Sequence, residues 1–146
     1  MYHYDMCGLD NVYLVNGFKT IKTSEGKAVS IHKLDDLHHV IADKLVKMPR
    51  RLTGKEFRFL RIELDMSQKT LGELMGKKDQ SIAKWEKGEL TLPKLADVII
   101  RQLYTESVGS NSRLRSIFDG LNELDRSIQK MKMHFEEGKN GWQDAA

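Results

Sequence analysis

The chain has 146 residues, 40% hydrophobic and 31% charged, with a mean hydropathy of −0.51, which suits one domain or two very small ones and excludes wholesale disorder. No apolar run approaches the roughly 18 residues of a membrane helix; Met1-Tyr2-His3-Tyr4-Asp5 lacks the basic start and apolar stretch of a secretion signal; and the one cysteine, Cys7, forms no intramolecular disulfide, so a cytoplasmic protein is expected. Net charge is +3, and the excess lies in residues 47–101, where 13 basic side chains meet 8 acidic ones; such an excess attracts polyanions but equally describes a solvated surface.

Residues 1–48 read as a small α+β unit. Val12-Tyr13-Leu14-Val15 is β-branched and aromatic, and Phe18 to Thr23 resumes a strand pattern. Asn16-Gly17 between them predicts a two-residue hairpin turn, since both positions favour positive φ. Glu25-Gly26 predicts a second turn and Ala28 to Ile31 a third strand. Leu34, Leu37, Ile41 and Leu45 then mark one face of a helix. The expectation is a β-meander with one face covered by this helix and the other open to a partner. Pro49 disfavours helix at Met48, so a short basic linker follows, Lys47-Met48-Pro49-Arg50-Arg51.

Residues 52–105 read as helical throughout. Thr53-Gly54-Lys55-Glu56 has capping-box spacing, ahead of Phe57, Leu60 and Leu64 on one face. Ser67 caps a helix carrying Leu71, Leu74 and Met75, and Gly76 ends it because it tolerates the left-handed conformation. The next, short helix carries Ile82 and Trp85 and ends at Gly88. Pro93 opens another in its first turn, with Leu95, Val98, Ile99, Gln102 and Leu103 as the predicted stripe.

After Glu106-Ser107-Val108-Gly109-Ser110, residues 111–137 are predicted as one long helix. Leu114, Leu121, Ile128 and Phe135 are seven apart, and Ile117, Leu124 and Met131 interleave with them. That heptad predicts a dimerisation seam, favoured over docking of the same stripe on the chain's own domain because the preceding break frees the helix and its other face is polar. Residues 138–146 are expected to form a flexible tail. The expected class is therefore α+β: an N-terminal β-meander plus helix, a central all-α helix-turn-helix domain, and a long C-terminal helix.

Two helices joined through Gly76 by a very short turn have the arrangement whose second member enters a DNA major groove. Leu71, Leu74, Ile82 and Trp85 would hold the pair together. Lys78, Gln80, Ser81, Lys84 and Lys87 then line the outer side and start of the second helix. Gln80 matches the N6/N7 edge of adenine, Lys84 suits a guanine edge or a phosphate, and Lys78 and Lys87 suit phosphates.

The string from Met66 to Gly88 resembles the helix-turn-helix of Cro/lambda-repressor-type regulators, the XRE family. Ser67-Gln68, Leu71, Gly76, Ser81-Ile82, Trp85-Glu86 and Gly88 carry the resemblance, which covers about residues 53–104. It implies that Ser67 and Gln68 grip the DNA backbone, where a helix N-terminus favours phosphate. Lys77 and Lys78 depart from the family pattern of an apolar residue and a Ser/Thr cap. Asp79 then either caps the recognition helix or accepts from cytosine N4. The order of parts also resembles MqsA-type antitoxins, which implies a toxin as partner of the N-terminal unit. Their four-cysteine zinc pattern is missing. His3, Cys7, His32, His38 and His39 lack a standard zinc spacing, so no metal and no cofactor is expected.

Cys7 with a histidine is the one thiol pair an enzyme could use, and no phosphate loop or metalloprotease motif occurs, so no catalysis is expected. No aromatic stacking surface favours RNA. The expected function is a homodimeric repressor that binds a near-palindromic site on double-stranded DNA, with an antitoxin as the alternative.

Overall fold

The computed structural model describes residues 1–109, 113–124 and 132–145. Strand β1 (Tyr2–His3) pairs antiparallel with β2 (Tyr13–Leu14), and β3 (Phe18–Thr23) with β4 (Gly26–Ile31). These are separate two-stranded pairs, so the expected meander is not formed. Gly17 has the positive φ predicted for it, 79°, but it turns a corner at the root of the β3–β4 ribbon, where its carbonyl accepts from His32 N. The two-residue turn is Ser24-Glu25, steadied by Thr23 Oγ1 donating to the Gly26 carbonyl at 2.7 Å. The expected helix cover falls on the first pair and its connection, where Tyr4, Leu9 and Leu14 are buried. The ribbon is mostly exposed: one face is half-buried toward its root at Phe18, Val29 and Ile31, where Tyr2 packs on Phe18 with ring centroids 5.3 Å apart, and each face carries lysine.

Helix α1 (Leu34–Lys47) has Asp35 and Asp36 in its first turn and Lys44 and Lys47 in its last, which complements the helix dipole. It ends at an extended Met48 before Pro49, as predicted. Helices α2 (Gly54–Glu63), α3 (Gln68–Met75), α4 (Asp79–Lys87) and α5 (Lys94–Val108) follow. The capping box at Thr53 and Glu56 is formed, Ser67 caps α3, and Gly76 and Gly88 adopt left-handed C-caps. Pro93 is the N-cap of α5, one residue before its first turn.

Leu9, Ala42, Leu45, Phe57, Leu60, Leu71, Ile82, Trp85, Ile100 and Leu103 share one apolar core. Phe57 and Trp85 meet edge to face, with ring centroids 6.1 Å apart. The inward face of α5 differs from the predicted stripe. Ala96, Asp97, Ile100, Leu103 and Tyr104 are buried, whereas Leu95, Val98 and Gln102 are exposed. Apolar residues lie on both faces of α5, so periodicity alone does not orient it. Asp97 settles the orientation by turning inward to accept from Leu52 N and Arg101 Nε, both at 2.6 Å. Arg101 also donates to the carbonyls of Val46, Met48 and Arg50, pinning the basic linker against α5. Tyr4, His38 and Glu63 form a chain of hydrogen bonds at 2.8 and 2.9 Å, which fastens the N-terminal segment to α1 and α2.

Helix α6 is described over Arg113–Leu124. The prediction of helix to residue 137 and a tail beyond is corrected. Phe135–Gly138 is strand β5, paired antiparallel with β6 (Gly141–Asp144). Turn chemistry decides here: Lys139-Asn140 lies between two glycines, and Gly141 has a φ of 102°. The architecture is thus a mixed α+β chain with a central helical region.

Candidate nucleic-acid interface

The geometry of the α3–α4 pair is set by its turn, Gly76-Lys77-Lys78. Lys77 N donates to the Gly72 carbonyl at 2.7 Å, folding the chain back over α3. A side chain on Gly72 would put its Cβ 2.6 Å from the Lys77 carbonyl oxygen, so only glycine allows this approach. Sequence reading passed over Gly72; its place four residues before the helix-ending Gly76 was the available signal.

Behind the pair lies a buried ionic cluster that sequence reading also missed. Arg61 donates to Glu86 through Nε at 2.7 Å and Nη2 at 2.9 Å, and through Nη1 to the Met66 carbonyl at 2.9 Å. Gln68 Nε2 donates to Glu86 Oε1 at 3.0 Å. One carboxylate on α4 thereby ties together α2, the turn after it and the start of α3. The signal was an arginine on the core-facing side of α2, legible as a core residue only once its partner is known.

Among the predicted site residues, Lys78, Gln80, Lys84 and Lys87 are exposed on α4 or its N-cap. Their side chains have no hydrogen-bond or ion-pair partner among the described residues. Ser81 is half-buried on the same helix. Lys78 is the N-cap by backbone conformation and supplies no side-chain cap. Asp79 is the first helical residue, and its Oδ1 accepts from Gln80 N at 2.9 Å. Asp79 is therefore not the N-cap, the first of the two roles open to it. Ser67 Oγ accepts from Thr70 N at 3.0 Å. Gln68 is not free, since its amide nitrogen is committed to Glu86; what remains at the start of α3 is its outward backbone N–H groups.

The described residues of the predicted seam are not all brought onto one helix face. Leu114 packs against the chain's own core together with Phe118, which the heptad placed off the seam. Asn122 donates to the carbonyls of Glu73 and Leu74, so α6 also caps the end of α3. Ile117 and Leu121 are 59% and 61% exposed. Leu124 ends α6, Phe135 lies in β5, and Ile128 and Met131 lie outside the described residues.

The His3 ring stacks on Tyr13 with centroids 4.7 Å apart, and its Nε2 donates to the Asp10 carbonyl at 2.9 Å. Among the described residues, no three histidine, cysteine or acidic side chains group as metal ligands do. No described helix is long and apolar enough to cross a membrane.

Residues 57–100, from the first turns of α2 to the middle of α5, match a family described as helix-turn-helix, of the XRE kind. No curated protein and no solved structure matches the chain. The family is a DNA-binding one, and the match spans the α3–α4 pair together with both helices that support it. It does not extend to the N-terminal unit on which the antitoxin resemblance rests.

Proposed function

We propose that this chain is a sequence-specific transcriptional regulator, a repressor that occupies double-stranded DNA with α4 in the major groove. The observation that carries this reading is the free outer face of α4, held at a fixed angle to α3, inside the matched helix-turn-helix segment. Gln80, Ser81 and Lys84 read base edges, with Gln80 offering the paired donor and acceptor that adenine requires. Lys78 and Lys87 neutralise phosphates, and the start of α3 at Ser67 and Gln68 holds the backbone through its N–H groups. Asp79 orients the start of α4 through Gln80 N.

A regulator of this kind works in the cytoplasm and gains affinity by pairing on a near-palindromic site. The exposed Ile117 and Leu121 on α6 are the pairing surface in this reading. The test is selection of bound duplexes from random DNA by the full chain. A recovered consensus with two related half-sites supports the reading; recovery of unrelated sequences, with no enrichment over rounds, overturns it.

A further inference from the structure

The β3–β4 ribbon is an unexplained expense in the fold. A two-stranded hairpin is marginal in water without a covering layer, yet no residue of Phe18–Thr23 or Gly26–Ile31 is fully buried, and only Phe18, Val29 and Ile31 toward its root are half-buried. Its register also sets Lys22 directly opposite Lys27, a cross-strand pair of like charges that destabilises the ribbon. Residues 17–33 hold four lysines against one acid, Glu25. Among the described residues, Lys47 and Lys55 have ion-pair partners, and Lys19, Lys22, Lys27 and Lys33 have none. Thr20 adds a neutral hydrogen-bonding group to the face that carries Lys22 and Lys27, while Lys19 lies on the other face.

The ribbon is rooted on α1, whose second turn is tied to the end of α2. Lys33 precedes α1, and His38, five residues on, bonds Glu63 at 2.9 Å. Glu63 closes α2, and Ser67, the cap of α3, follows four residues later. Strands of six residues reach about 20 Å from that root, and a major groove admits a two-stranded ribbon.

We infer that the β3–β4 ribbon is a second DNA contact, in which Lys22 and Lys27 straddle phosphates of the duplex beside the segment bound by α4. The like-charge pair that costs stability in the free chain is neutralised by the polyanion, and the ribbon gains the cover it lacks. This inference rests on the proposed DNA-binding function and extends its footprint.

The test compares the full chain with Lys22→Ala/Lys27→Ala by anisotropy on a labelled duplex carrying a selected site, over a range of salt. Lys44→Ala/Lys47→Ala, the same charge change on α1, is the control. The ribbon variant is expected to bind about tenfold more weakly at about 200 mM salt, with the log–log salt slope shallower by about 2, one phosphate per lysine. Hydroxyl-radical footprinting should lose protection on one flank only, and Lys22→Arg/Lys27→Arg should restore both affinity and footprint. Unchanged affinity, slope and footprint in the ribbon variant, with Gln80→Ala still impaired, overturns the ribbon contact and leaves the helix reading standing. Equal loss in the α1 control shows bulk charge alone and also overturns it. Failure of the wild-type chain to bind any duplex overturns both readings.

Discussion

Arg61 on α2 and Glu86 on α4 meet through two hydrogen bonds, with the arginine side chain 10% exposed and the glutamate 2%. The pair fixes the rotation of α4 about its own axis. Gln68 and the Met66 carbonyl complete the cluster, leaving no buried side-chain nitrogen or oxygen unpaired among the described residues. Arg61→Ala would strand a buried carboxylate and should cost about 3–5 kcal/mol. Arg61→Met with Glu86→Leu removes both charges and should cost much less. Urea unfolding of the two variants measures the difference; similar losses in both would show that the pair acts through packing alone.

Gln80→Ala should weaken binding to the selected site by about 1–3 kcal/mol and relax one base position. Lys87→Ala should weaken all duplexes alike and make the salt slope shallower by about 1. Binding titrations across single-base variants of the site separate the two patterns. A uniform loss in Gln80→Ala would move it to the phosphate class.

Gly72→Ala tests the close turn. The added methyl has a backbone oxygen in its way, not a flexible side-chain end, so the α3–α4 angle must open. A loss of about 1–3 kcal/mol in stability is expected from the overpacking, with weaker site binding in the fraction that folds. Gly120→Ala, where nothing lies within 4 Å of the new methyl, is the tolerated comparison.

Glu56 gives the fold an acid-sensitive point. Burial pushes its carboxyl up, but hydrogen bonds from Arg50 at 2.8 and 2.9 Å and from Thr53 N at 2.8 Å pull it further the other way, below its ordinary value of 4.5. The unfolded chain therefore takes up this proton at a higher pH than the folded chain. Stability from the group is fully present above 4.5 and is lost as pH falls through the lowered folded value. Glu56→Gln should lower the urea midpoint at pH 7 and flatten its decline toward pH 3. An unchanged decline would assign acid sensitivity elsewhere.

Ile117→Asp with Leu121→Asp probes pairing without disturbing the inward residues Leu114 and Phe118. Sedimentation of the full chain and the variant at matched concentration should show a dimer and a monomer, with circular dichroism unchanged. Truncation after Gly109 is a different experiment, because it strips α6 from the core and from the carbonyls of Glu73 and Leu74. A dimer in both full-length proteins would place pairing on another surface.

Local chemistry made much of the helical region legible in the sequence. Thr53 and Glu56, Ser67, Gly76 and Gly88 act through bonds to backbone a few residues away, so their spacing alone marked where helices start and stop. The short turn between Ser67 and Gly88 exposed the candidate reading face for the same reason. Tertiary structure decided what depends on distant partners. Asp97 oriented α5 through Leu52 and Arg101, and Glu86 captured Gln68, a residue the resemblance assigned to DNA. The β3–β4 ribbon left the expected meander because strand pairing is settled between segments, not within them. Phe135 fitted a heptad by position but joined β5, since the glycine-flanked turn at Lys139-Asn140 offered it a strand partner. Sequence periodicity specifies which residues share a face; only packing specifies which face turns inward and what it meets.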